Sequence, residues 1–357
     1  MKRIALFIGI FMLPLSMMLS CKDKNKDEDE TFDKGPILTN LADNYILPGY
    51  IDLNDKIGAL QTAWNNFQAD QSTVNFDLVK GAWESANISF HRIKIMDFGP
   101  AATVGLHAAL GTFPADTTQI QNNIAAGTYA LTTADNIDAI GFDALDYLLY
   151  RSNAYALVCS SANTRVYVSE VIAKMKTETQ TVLSAWQNGY RATFVAGTGT
   201  SSTDAFALLV NAFCRDYELV KSIQLGIPIG MQSLGIQQPH YLAARRSGLG
   251  KTLMITNIQT VWDVFRGMSY TGSDGQGFDD YLNAIEMSSL TSTVNSRFGY
   301  MTSHPNTWSG TIEQMMGTNP TTLTDFYNYM QGTVVYLKTD MSSAFGVLIT
   351  YQDNDGD

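Results

Sequence analysis

The chain has 357 residues, 45% of them hydrophobic and only 16% charged, enough apolar material for a large buried core. With 34 acidic against 23 basic residues the formal charge is -11, which argues against nucleic acid or anionic headgroups as partners, since both need a basic surface. Cations, neutral ligands and basic proteins stay open.

The first twenty residues have the layout of an export signal. Lys2 and Arg3 form a positive start, Ile4 to Leu19 form an apolar run interrupted by Pro14, and Ser20 precedes Cys21. Met18-Leu19-Ser20-Cys21 resembles a bacterial lipoprotein lipobox, which makes Cys21 the expected lipidation site and a covalent lipid the expected membrane attachment. The charge run from Lys22 to Glu30 reads as a solvated tether, 21–35 in all, and is similar to the export signals of surface lipoproteins. The expected location is the outer membrane, on its periplasmic or cell-surface side. With Cys21 assigned, Cys159 and Cys214 remain, and their spacing does not say whether they pair.

Beyond the tether the spacing is helical almost throughout and predicts an all-α protein. Ile57, Leu60, Trp64 and Phe67 share one stripe, and Leu78, Trp83, Ala86 and Phe90 another. Further helices are predicted over 164–190, 204–225, 250–268, 277–290 and 324–348, with Trp83, Trp186, Trp262 and Trp308 read as core. The glycine-rich stretch 196–203 divides the folded chain into 36–196 and 204–352. Gly277-Phe278-Asp279-Asp280-Tyr281-Leu282 echoes Gly141-Phe142-Asp143-Ala144-Leu145-Asp146-Tyr147-Leu148, so two related helical bundles packed together are expected.

The segment Ile140 to Tyr150 carries the chemistry. Asp143 and Asp146 stand three apart in an apolar helix, so both carboxylates point from one face. Burying them is costly unless a cation, a hydrogen-bond donor or a shared proton compensates. Arg245 and Arg246, beside Ser247, offer planar forks that suit such a carboxylate. The four histidines, His91, His107, His240 and His304, fall in no metal-binding or catalytic spacing. The acidic turns 273–277 and 353–357 lack the ligands of a calcium loop.

The chain resembles the imelysin family, and in particular imelysin-like lipoproteins of Bacteroidetes. The likeness rests on Ala82-Trp83-Glu84-Ser85-Ala86, Phe98-Gly99-Pro100, Thr112-Phe113-Pro114-Ala115-Asp116, Ile140 to Tyr150, Ala244-Arg245-Arg246-Ser247, Asn257 to Gly267, 277–282 and 346–357. The resemblance implies two pseudo-symmetric bundles with a functional cleft between them, an association with iron, and, for some members, metallopeptidase activity. The family's metal motif GxHxxE falls on Gly141, Asp143 and Asp146, with aspartate in place of both histidine and glutamate. Lys94 stands where many members carry a glutamate. Loss of imidazole weakens a catalytic zinc assignment, whereas two aspartates still suit a hard cation. His91, close to where the family places a ligand, joins Asp143, Asp146, Arg245, Arg246 and Ser247 as a candidate metal- or ligand-binding residue. Three readings stay open: a non-catalytic envelope protein binding a small ligand, iron or another di- or trivalent cation; a metallopeptidase; or an interaction protein with envelope partners and a decayed metal site.

Overall fold

The structure, a computed structural model, describes residues 32–351. The expected export signal, Cys21, the charge run behind it and residues 353–357 lie outside the described residues. Helix α1 (Gly35–Asn40) passes through a π-helical stretch (Leu41–Ile46) into α2 (Leu47–Ala69). Then come α3 (Thr73–Ile93), α4 (Pro100–Val104), α5 (Leu106–Gly111), α6 (Thr117–Ala126), α7 (Gly141–Tyr150), α8 (Ala154–Ser160), α9 (Ala162–Ala185) and α10 (Arg191–Ala196). Beyond 197–204 follow α11 (Ala205–Leu219), extended by a π-helical stretch (Val220–Gly226), then α12 (Gly250–Phe265), α13 (Phe278–Ala284), α14 (Ser288–Ser303), α15 (Ile312–Thr318) and α16 (Pro320–Val334). No strand occurs among the described residues, and the fold is all-α.

The long helices form where apolar residues recur every three or four positions, and side chains close their ends. Ser72 caps α3 by accepting from the Asn75 amide, Asp116 caps α6 through the amides of Thr118 and Gln119, and Ser161 caps α9. Helix α2 packs its stripe of Leu53, Ile57, Leu60, Trp64 and Phe67, all buried, against α3 and α9. Helix α3 also packs on α12, and α12 on α11 and α14, so α3 and α12 form the seam between the earlier and later parts of the chain.

Several details depart from the expectations. Leu78 is 59% exposed, and its neighbour Val79 takes the buried place on α3. The segment predicted as one helix over 277–290 splits into α13 and α14, because Glu286 adopts a left-handed backbone (φ 63°) that no helix continues through. Trp83, Trp186 and Trp308 are buried, whereas Trp262 is half-buried and donates from Nε1 to Asn295. Cys159 and Cys214 are both free thiols.

Candidate functional site

Helix α7 begins hard against the end of α5. Gly141 has φ +80°, and a Cβ there would come within 2.6 Å of the Leu110 carbonyl oxygen, so only glycine fits this approach. The helix that follows turns Asp143 and Asp146 toward the 243–249 turn, with 7% and 0% of their surfaces exposed.

All four carboxylate oxygens accept backbone amides. Asp143 Oδ2 takes the Ala115 N–H (2.8 Å) and Oδ1 the Ala244 N–H (3.0 Å). Asp146 Oδ2 takes the Arg246 N–H (3.0 Å) and Oδ1 the Ser247 N–H (2.9 Å). The pair therefore staples α7 to a turn a hundred residues downstream. Ala244 adopts φ 48°, a conformation that points this turn's amides at the acids while Ser247 Oγ donates to its carbonyl. Burial pushes the Asp143 carboxyl up to about 6, the Asp146 charge adding to it, while the amides of Ala115 and Ala244 and the Arg246 charge pull back. Burial also raises Asp146, opposed by the Ser247 hydroxyl and the amides of Arg246 and Ser247.

The expectation that an arginine fork bridges to these carboxylates is corrected. Arg245 points outward and makes a two-point pair with Glu313, Nε to Oε2 at 3.0 Å and Nη2 to Oε1 at 2.6 Å, with both side chains more than a third exposed. The Arg246 guanidinium lies 4.8 Å from the Tyr147 ring centre. Main-chain N–H groups reach the acids without bringing a second buried charge, which is the less costly solution.

Beside the staple lies a cavity of about 30 Å³ lined by Asn87 and His91 of α3, Lys94 at its C-cap, His107 of α5, Asp143, and Gln224 of the π-helical stretch. His91 Nδ1 lies 2.9 Å from the Asn87 carbonyl oxygen; that oxygen only accepts, so Nδ1 carries the proton. Burial and the Lys94 charge push the ring down to about 3, so His91 is neutral and its Nε2 is an acceptor. Lys94 Nζ donates to Asp216 Oδ1 at 2.8 Å, each side chain being 5% exposed. Asn257 Nδ2 faces the His91 carbonyl (3.2 Å) and Asp216 Oδ2 (3.5 Å), and its Oδ1 accepts from Gln224 Nε2 (2.9 Å). That chain of donors fixes the amide of Gln224, whose Oε1, like Asn87 Oδ1, is buried without a protein partner. The structure thus brings His91 and Asp143 together and adds His107. His240 packs at a tilt against Tyr241 and His304 stacks on Tyr300, and neither lines the cavity.

These donors do not suit a metal ion. Asp143 supplies oxygens already engaged by amides, Asp146 does not line the cavity, His91 and His107 offer one nitrogen each, and the Lys94 ammonium opposes a second cation in the same space. Among the described residues no three histidine, cysteine, aspartate or glutamate side chains gather as a metal group. Sequence reasoning missed Asp216, Asn257 and Gln224; the available signal was a polar residue on the buried stripe of an apolar helix.

Comparison with known proteins places this geometry in a group. The chain is 21% identical to Iron-regulated protein A of Synechococcus elongatus over 245 residues, 66% of this chain and 65% of that protein, so it spans just under two thirds of the relative's length. Among solved structures, an iron-regulated protein A precursor from Parabacteroides distasonis matches with a TM-score of 0.71 at 15% identity, covering 87% of this chain and 94% of that one. An imelysin-like protein from Psychrobacter arcticum matches with a TM-score of 0.71 at 17% identity, over 88% and 96%. At these identities the two structures speak for the fold. The family model described as Imelysin matches residues 46–322, well over half of the sequence, and the chain belongs to the imelysin family.

Proposed function

We propose that this chain is a non-catalytic imelysin of the bacterial cell envelope, held at the outer membrane by a lipid on Cys21 and serving an iron-linked process as a binding or interaction protein. The iron link is supported by the names of its relatives. The anchor is supported by the lipobox-like Met18-Leu19-Ser20-Cys21. The observation that carries the non-catalytic reading is the buried Lys94–Asp216 pair beside amide-bound Asp143. The lysine supplies internally the positive charge that a metal would otherwise bring. A metallopeptidase needs a metal-activated water with an open coordination position, and these residues give such an ion no place.

The test is elemental analysis and calorimetry of the mature chain against Fe²⁺, Fe³⁺, Zn²⁺ and Ca²⁺, with Lys94→Glu, Asp143→Ala and Asp146→Ala alongside. The wild type should take up no stoichiometric metal at this site and Lys94→Glu should gain affinity for a cation. Stoichiometric wild-type binding abolished by the aspartate variants, joined by peptide cleavage, would restore the peptidase reading.

A further inference from the structure

Helix α3 also borders a second groove. Asn87, His91 and Lys94 look into the motif cavity, whereas Ile88 and Arg92, displaced around the helix, line a groove of about 340 Å³ shared with α12 and the end of α14. That volume is in the range of small-molecule sites and roughly ten times that of the motif cavity.

Two opposite charges stand in this groove without closing on each other. Arg92 is pinned by Tyr270: its Nη2 donates to the Tyr270 carbonyl (2.5 Å) and the guanidinium lies 3.6 Å from the ring centre. It makes no other side-chain hydrogen bond among the described residues, which leaves the Nε and Nη1 donors. Asp263 is pinned through one oxygen, Oδ1, which accepts from Gln259 Nε2 (2.8 Å) and Arg266 Nη2 (2.7 Å) and leaves Oδ2 unspent. With Gln259 Nε2 on Asp263 and Asn306 Nδ2 on the Thr302 carbonyl, each amide keeps an acceptor oxygen and one further N–H. No ion pair joins Arg92 to Asp263 among the described residues.

We propose that this groove binds a small zwitterion, a free α-amino acid, whose carboxylate lies on the Arg92 fork and whose ammonium lies between Asp263 Oδ2 and the Gln259 oxygen, with Ile88 and Ile255 against its aliphatic part. Pre-positioned complementary charges favour a ligand carrying both: a carboxylate meets the remaining Arg92 donors, and an ammonium meets Oδ2 of an Asp263 whose Oδ1 is already paired with Arg266. The site is independent of the motif cavity and of the function proposed for it.

Calorimetric titration of the mature chain with each of the twenty L-amino acids tests it. At least one should bind one-to-one. Its N-acetyl derivative and its amide, each lacking one charge, should bind at least tenfold more weakly, as should the parent amino acid to Arg92→Gln and Asp263→Asn. Asp263→Asn, nearly isosteric, decides the matter if Arg92→Gln fails to fold. Failure of all twenty to bind at millimolar concentration, undiminished binding by both charge-deleted derivatives, or full affinity in Asp263→Asn would overturn the proposal.

Discussion

Replacing Asp146 by alanine removes a fully buried carboxylate that accepts two main-chain N–H groups, those of Arg246 and Ser247. Hydrogen bonds to a charged group contribute about 1.5–3 kcal/mol each, so the two together amount to about 3–6 kcal/mol. Against this stands the cost of keeping the carboxylate ionised in an apolar setting, visible in its raised pKa and relieved in the variant. The net loss should be about 2–4 kcal/mol, the two amides being left without acceptors. Urea unfolding followed by tryptophan fluorescence suits the measurement, because the buried Trp83 indole donates to the Phe142 carbonyl in α7 and reports on that helix. With a slope of about 3 kcal/mol per molar urea, the midpoint should fall by about 1 M. Asp77→Ala, at an exposed position, is the control and should stay within about 0.5 kcal/mol of wild type. A change that small in Asp146→Ala would refute the staple, since it would mean that the 243–249 turn holds its shape without the acid.

Other expectations follow from the same geometry. Asp143 has its carboxyl raised from the usual 3.8 to about 6, so the folded state holds its proton more tightly than the unfolded chain does. Its stabilising contribution is complete below about pH 4 and is lost as pH rises through about 6; in Asp143→Asn that decline should vanish from stability curves measured between pH 4 and 7. Lys94→Met strands the buried Asp216 carboxylate and should cost about 3–5 kcal/mol in denaturant unfolding, whereas adding Asp216→Leu should recover most of it. No recovery in the double variant would mean that the pair is not coupled. Gly141→Ala meets both a left-handed backbone and the Leu110 carbonyl, and should lower stability by at least about 2 kcal/mol; a neutral result would show that α7 can shift away from α5.

The sequence made the acids legible but not their partners. Two carboxylates on one apolar face announce a buried charge that must be satisfied, and that follows from Asp143, Asp146 and their neighbours alone. Their partners are main-chain N–H groups, which every residue but proline carries and no side-chain pattern marks, so the side chains alone point to the arginine forks of Arg245 and Arg246 instead. Lys94 was visible as a departure from the family, but Asp216 lies 122 residues away on another helix, and only packing brings the two to 2.8 Å. Helix periodicity placed α2, α9, α11 and α12 because their stripes are long. The short helices α4, α5, α8 and α15 turn only once or twice and owe their shape to what they pack against. Arg92 and Asp263 carried no signal at all, each being an ordinary charge on an amphipathic helix.

The amide staple also constrains the order in which the chain can mature. Helix α7 emerges about a hundred residues before the amides of 244, 246 and 247 that its carboxylates require. At about 5–20 residues per second, ribosomal synthesis leaves those acids waiting for roughly 5–20 s. During that interval the leading part of the chain cannot bury them without penalty, so it stays loosely packed there. Completion of the later segment thus supplies the groups that lock the earlier one.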